Sequence, residues 1–267
     1  MKKFLTAVAL LATTFTAGAW TQRAPLPLEQ CAQHVPYGFP QTNKVKDGAY
    51  ICRGGYVLLE DNAAKIPAWG AWEVRADRVN GCWPRTNAFT ADQSLGAKSA
   101  RPDDYAGTGY DKGHLANDAH QSWDEMVEYE SFLMSNMMPQ KPGLNRGIWK
   151  LLETATGAWA FSRQTTLIVY SGPIYVVGDP TIGNGVNVPR AFFKIIIDRR
   201  TGEHFAFVFP HTENQGNDLT VVQSTVATVE QYTGIMFPVP GDKNSKQALW
   251  PVDFKSVAEN KKAVCKK

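Results

Sequence analysis

Apolar positions recur along this chain with two periods, and the switches between them mark its elements. Residues 50–59 and 69–79 are rich in aromatic and β-branched side chains and read as strands. So do residues 165–170 and 191–197, and the latter turns through Asp198-Arg199-Arg200-Thr201-Gly202 into residues 203–209, which predicts a hairpin. Helical spacing appears at Trp123, Met126, Glu130 and Leu133 or Met134. It returns after Pro142, a residue suited to a helix start, at Leu144, Ile148, Leu151 or Leu152, Ala155 and Trp159. Residues 219–232 read as a final amphipathic helix closed by Gly234. Between residues 85 and 109 the chain is polar with scattered Gly and Pro, which fits a long ordered loop entering a site. Residues 111–117 should end a strand or turn and residues 136–139 form a short strand or turn, so a β–turn–α order spans residues 110–160.

No internal repeat, low-complexity tract or Ser/Gly-rich linker divides the chain. One domain is expected, preceded by a turn-rich surface arm that runs through Pro36-Tyr37-Gly38-Phe39-Pro40. With 267 residues, 43% hydrophobic and 20% charged, the chain can bury one sizeable core, which argues against disorder. The beginning differs in kind. Met1-Lys2-Lys3, the apolar run from Phe4 to Ala12 and the small residues Ala17-Gly18-Ala19 have the pattern of a signal peptide over residues 1–19, leaving residues 20–267 as the mature chain. The apolar run is shorter than the ~20 residues of a spanning helix and no second such run follows, so no membrane partner is expected. Export to the periplasm or the medium is.

Loss of residues 1–19 removes Lys2 and Lys3 and no acid, which leaves 26 Lys+Arg against 25 Asp+Glu. A global basic field therefore cannot carry affinity for a polyanion, and phosphate binding would have to come from a local cluster. Lys141, Arg146 and Lys150, near Lys112, are candidates, although most charge runs are solvated helix faces. Four cysteines in an exported chain predict two disulfides. Three pairings are possible; Cys31 with Cys52, pinning the N-terminal arm, and Cys82 with Cys265 is the arrangement expected. Cys-x-x-Cys and Cys/His zinc spacings are absent.

One stretch reads as chemistry. Asp111-Lys112-Gly113-His114, Ser135-Asn136 through Pro139-Gln140, and Asn145-Arg146-Gly147 through Trp149 to Glu153 gather a histidine, two asparagines and a glutamate among cations. A metal-assisted phosphodiesterase needs such parts: a base for water, a neutral oxygen for a hard cation, and positive groups for phosphate. These segments resemble the DNA/RNA non-specific endonuclease family, the ββα-metal nucleases. Arg85 ahead of Phe89 and Asp92, Ser171-Gly172-Pro173, Val188-Pro189 through Phe193-Lys194, and Val229-Glu230 through Thr233-Gly234 extend the resemblance over roughly residues 69–238. It implies an α+β fold, a central and mostly antiparallel sheet flanked by helices, with a ββα-metal active-site element.

The resemblance also implies roles. His114 would be the general base and Asn145 the direct protein ligand of one divalent cation, Mg²⁺ with Mn²⁺ able to substitute. Elementary chemistry agrees: a histidine near its ordinary pKa of ~6.5 takes a proton from water at neutral pH, and an Asn carbonyl leaves a cation strongly Lewis acidic. Gly113 beside His114 would let backbone approach substrate. Glu153 lies eight residues after Asn145, ~12 Å along a continuous helix and ~80° around it, so it would act through a water rather than touch the ion. The alternative for Glu153 is a surface carboxylate paired with Lys150. Asn136 would support the site, Arg85 and Lys112 would lie near the substrate phosphate, and Arg146 is a further candidate to bind it. Lys112 stands where the family more often has Arg, a point charge in place of a two-pronged grip, and Asn117 replaces a frequent Pro. His34, His120, His204 and His211 lie outside the matched positions and are expected to be structural or surface residues.

The activity so implied is hydrolysis of internal phosphodiester bonds in DNA and RNA. Contacts to the backbone rather than base edges would make it insensitive to sequence. Two rivals stand beside it: a catalytically inactive nucleic-acid-binding protein, and a disulfide-stabilised binding protein that stacks ligands on Trp69, Trp72 and Trp83, although such aromatic residues are more often core.

Overall fold

The computed structural model describes residues 21–213 and 216–265; the signal-peptide reading of residues 1–19 lies outside them. Its centre is a seven-stranded antiparallel sheet in the order Gln223–Ser224, His204–Pro210, Ala191–Asp198, Thr166–Ile174, Ile66–Arg75, Val57–Asp61 and Gly48–Cys52. Period-two alternation sends Phe192 and Ile196 to one face and Phe193, Ile195 and Ile197 to the other. The first face is covered by the helix Lys150–Arg163 through Leu152, Ala155 and Trp159. On the second face sit the helix Val226–Thr233 and the N-terminal arm around Cys31 and Val35. The expected α+β fold, with a mostly antiparallel sheet between helices, is the fold observed.

Several elements differ from the sequence reading for local reasons. The run at residues 50–59 is two strands, because Arg53-Gly54-Gly55-Tyr56 turns the chain back and Arg53 N donates to Tyr56 O at 2.8 Å. The helix expected around Trp123 is only Glu125–Glu130, started by Asp124, whose carboxylate accepts from Met126 N and Val127 N. Residues 219–232 divide into a 3₁₀ turn, a short strand and the helix Val226–Thr233, capped by the Thr225 hydroxyl and closed by Gly234 at φ +67°. A further helix, Phe254–Val264, follows it, so Val226–Thr233 is not the last. Both expected disulfides are formed, Cys31–Cys52 and Cys82–Cys265. No helix among the described residues is long and apolar enough to cross a membrane.

The sheet margin is joined to the polar 85–109 loop by charge. Arg53, 1% exposed, donates from Nη2 to both carboxylate oxygens of Asp92, which is 0% exposed, at 2.8 and 3.0 Å. Asp92 also accepts from the hydroxyls of Ser94 and Ser135 at 2.6 and 2.7 Å. Arg53 Nη1 reaches Arg23 O at 2.6 Å and lies 3.8 Å from Glu130, so arm, sheet, loop and helix meet at one guanidinium. Truncating one member of a buried, hydrogen-bonded ion pair strands the other charge, at a cost of ~3–5 kcal/mol. Arg53→Met is therefore expected to lower unfolding free energy by that amount in urea denaturation of the oxidised protein. Arg53→Met with Asp92→Leu should recover much of it; an additive loss in the double variant would contradict the coupling.

Candidate active site

Asp111–His114 and Met137–Gln140 form an antiparallel pair in which His114 lies opposite Met137 and Asp111 opposite Gln140. The chain then enters helix at Pro142–Leu144, passes through a π-helical stretch Asn145–Trp149 kinked at Gly147, and continues as Lys150–Arg163. Two strands and a helix thus enclose one side of a cleft of about 900 Å³. The π turn changes the Asn145–Glu153 spacing: ~12 Å and ~80° hold for an uninterrupted α-helix, and these residues are not on one.

His114 is 8% exposed, its ring edge-on to Phe132 at 4.9 Å and tilted against Phe89 at 5.8 Å. Its Nε2 is buried with no hydrogen-bond partner among the described residues, although the ring lines the cleft. Burial pushes its pKa down to about 4; nearby Asp118 works the other way, while Arg85 and Lys194 add to the depression. The expectation of an ordinary histidine is thereby corrected. The chain beyond His114 is fixed by Asn136, whose Oδ1 accepts from Ala116 N at 2.9 Å and whose Nδ2 donates to Ala116 O and Ser131 O at 2.8 Å. Asn136 is wholly buried, and both ends of its amide are taken up by backbone. A Cβ at Gly113 would fall 2.0 Å from Gln140 Oε1, so the glycine makes room for Gln140.

Asn145 is oriented by Asp111. Its Nδ2 donates to Asp111 Oδ2 at 2.9 Å, and a carboxylate can only accept, so the amide is fixed with Oδ1 as its free oxygen. Arg146 holds the same carboxylate at both oxygens, at 2.9 and 2.6 Å, with its side chain 71% exposed. The ordered pair Asp111–Arg146 is therefore a mount for Asn145, a role the sequence reading did not give Asp111. Among the described residues no group of three or more His, Cys, Asp and Glu could hold a metal. A single neutral oxygen suits a hard cation that keeps most of its waters, as Mg²⁺ does, and the unpartnered His114 nitrogen lining the same cleft leaves a place for one of them. The donor set fits a divalent cation.

Glu153 does not pair with Lys150. Its Oε1 accepts from Lys194 Nζ at 3.1 Å, and Lys194, 2% exposed, lies 4.0 Å from the centre of the Trp149 ring and 5.5 Å from that of Trp72. Lys194 shares a sheet face with Phe192 and Ile196, which is how a strand lysine comes to face the helix. Burial pushes the Glu153 carboxyl up and the Lys194 ammonium down, and each sustains the other's charge against that push. A lysine inside Ala191-Phe192-Phe193-Lys194-Ile195-Ile196-Ile197 is the signal that could have found it.

Arg85 extends from the loop, held by Asp118 Oδ1 at 2.6 Å and by Asn87 Oδ1 at 2.7 Å, with its guanidinium 4.8 Å over Phe132. Lys112 sits 5.0 Å from the Phe89 ring and makes no ion pair with a described residue. His120, also lining the cleft, is fully engaged: Nδ1 accepts from Trp72 Nε1 at 3.3 Å and Nε2 meets Glu153 O at 3.1 Å, with its pKa pushed down to about 3 by burial. His34 is likewise buried and accepts from Glu73 N, His204 touches Ser245, and His211 joins Lys141 N to Pro189 O. All four rings are engaged by hydrogen bonds within the protein.

A two-strand, one-helix element brings His114, Asn145 and Glu153 to one cleft, the ββα arrangement expected from the sequence. The chain belongs to the DNA/RNA non-specific endonuclease family, whose model matches residues 32–243, and it is an enzyme of that class. It is similar to mitochondrial Endonuclease G of Homo sapiens, 30% identical over 218 residues that cover 75% of this chain and 71% of the human protein. It is also similar to Nuclease of Serratia marcescens, 28% identical over 246 residues, 86% of this chain and 87% of that one. Among solved structures, a chain in the crystal structure of the EndoG/EndoGI complex matches with a TM-score of 0.71 at 25% identity, covering 82% of this chain and 97% of that chain.

A lowered pKa means that His114 stays neutral as pH falls through 6.5 and takes a proton only near 4. In the substrate-free protein, its ring signals followed by NMR are expected to stay constant from pH 8 down to about 5. A titration midpoint at about 6.5 would contradict the burial argument.

Proposed function

We propose that this chain is an exported endonuclease that hydrolyses internal phosphodiester bonds of DNA and RNA, with His114 as base and Asn145 as ligand of one divalent cation, Mg²⁺ or Mn²⁺. The observation that carries the reading is a buried, unpartnered His114 Nε2 in the cleft that also holds an Asn145 whose amide is locked with its oxygen free. Two disulfides, one of them exposed, support an oxidising destination. Residues 20–267 would act as a single nuclease domain.

A bound divalent cation supplies Lewis acidity toward a phosphate oxygen and toward the leaving oxygen. The chain's own residues do the rest. His114 Nε2 accepts the proton of the attacking water. Burial alone leaves the imidazole a poor base, and a phosphate anion drawn in by Arg85 and Lys112 raises its affinity for that proton. Arg85, already aimed by Asp118 and Asn87, needs little reordering to meet charge growing on the phosphate. Lys112 contributes a point charge and Arg146 an exposed one at the rim. Glu153, held in place by the Lys194 ammonium at 3.1 Å, accepts from water beside Asn145 and fixes its orientation.

Plasmid nicking with and without Mg²⁺ tests the reading directly. His114→Ala is expected to lose ~10²–10⁴ in rate while still binding DNA. Binding without cleavage in the wild type would favour the inactive nucleic-acid-binding alternative, and near-normal cleavage by the variant would remove His114 from the base role.

Asn145 and Glu153 should fail differently. Asn145→Ala is expected to raise the Mg²⁺ concentration needed for half-maximal activity, whereas Glu153→Gln should lower the rate at saturating Mg²⁺ with little change in that concentration. Reversal of the two patterns in a metal titration would exchange their roles.

A further inference from the structure

Beyond residue 243, where the family match ends, the chain returns to the cleft. Trp250 anchors the return: its carbonyl accepts from Trp159 Nε1 at 2.9 Å, its ring lies 4.4 Å from Phe205, and the Arg163 guanidinium stacks over it at 4.0 Å. Asp253 then caps the helix Phe254–Val264 by accepting from Ser256 N at 3.0 Å, and Cys265 at its far end is bonded to Cys82. Held at both ends, this helix contributes to the wall of the cleft that the His114 hairpin also lines. Phe254, Val257, Ala258 and Lys261 line the cleft at the i, i+3, i+4, i+7 spacing of one helix face.

Two features of that wall have no role in the chemistry above. Lys261 is exposed and makes no ion pair with a described residue, whereas Lys255, off the stripe, pairs with Glu259 at 3.9 Å. Asn80, two residues before Cys82, is 7% exposed and lines the cleft, yet neither its Oδ1 nor its Nδ2 has a hydrogen-bond partner among the described residues. A buried amide with both ends unpaired asks for a ligand or water. Lys150 lines the same cleft from the helix Lys150–Arg163, also without an ion-pair partner among the described residues. Cation, amide and an apolar strip together suit a sugar–phosphate chain: the ammonium for phosphate, the amide for a sugar or phosphate oxygen, the apolar face for ribose or base.

We propose that Lys261 and Asn80 form a second backbone-binding position for the polynucleotide strand, on a wall that the Cys82–Cys265 bond holds in place. The inference rests on the nuclease reading for the identity of the ligand, and it concerns binding rather than the bond broken.

The test is equilibrium binding of a fluorescein-labelled oligo-dT of about 20 nucleotides, long enough to span more than one contact, to the full oxidised chain in EDTA across a salt series. Each phosphate contact contributes ~0.7 to the slope of log K against log salt for a single strand. Lys261→Ala is expected to lower the slope by about that amount, and Cys265→Ser to lower it similarly by freeing the wall. Asn80→Ala, which removes no charge, should weaken binding at every salt concentration without moving the slope. Lys255→Ala should match the wild type in both respects. A wild-type slope in Lys261→Ala, or an equal drop in Lys255→Ala, overturns the proposal. Each variant is compared at a temperature where its circular dichroism equals the wild type's. Plasmid nicking is read separately: nicking absent while the slope still responds to Lys261 removes the hydrolytic reading alone, and nicking present with an unmoved slope removes this one alone.

Discussion

The buried contact between Arg53 and Asp92 is the constraint on which the rest of the site hangs. An ion pair with both members out of water gains little net stability, because desolvation offsets attraction. What it does is remove alternatives: the two terminal nitrogens of Arg53 keep their partners only if the arm's Arg23 carbonyl, the loop's Asp92 and the helix's Glu130 are all in place. Asp92 in turn binds the Ser135 hydroxyl, and the next residue, Asn136, clamps the backbone just beyond His114. A misplaced N-terminal arm would therefore be felt at His114. The Cys31–Cys52 disulfide, buried beside Arg53, limits how far that arm can stray in the unfolded chain as well.

A second buried pair does the equivalent work on the other side of the cleft. Lys194 rises from the sheet and Glu153 descends from the helix, so their contact fixes helix rotation against sheet. Two indole rings flank the ammonium and exclude water from it. The same helix begins with the π stretch that carries Asn145, whose amide is set from the opposite direction by Asp111. Orientation of both residues is thus imposed from outside the helix, and the wide turn between them can take up the difference.

The order strand, turn, helix across residues 110–160 is legible because it depends on short-range periodicity, and so is the gathering of His114, Asn145 and Glu153 on one cleft, because the segments that carry them are local in sequence. What escaped is long-range or nearly invisible to hydropathy. The partner of Glu153 lies 41 residues away, so Lys150, nearer in sequence, was the natural alternative. A π turn keeps the same residues apolar as an α-helix does, and the pattern of Leu144, Ile148 and Trp149 gives no sign of it. Gly54-Gly55 was a visible turn signal within residues 50–59 and the strand reading passed over it. The C-terminal helix is short and has no buried residues, so its stripe of Phe254, Val257 and Ala258 resembles surface until Trp250 and Cys265 bring it to the cleft.

Charge in the cleft is divided by function. Arg85 and Arg146 are committed to carboxylates, Asp118 and Asp111, and such pairing gives a guanidinium a fixed direction at the expense of field. Lys112, Lys150 and Lys261 have no such commitments among the described residues and supply field without direction. For a mature chain expected to carry almost no net charge, attraction of a polyanion must come from these few unpaired ammonium groups, concentrated where the strand would lie. None of this depends on base edges. A cleft furnished with lysines for reach and carboxylate-bound arginines for aim suits the repeating part of a nucleic acid, which is what the proposed indifference to sequence requires.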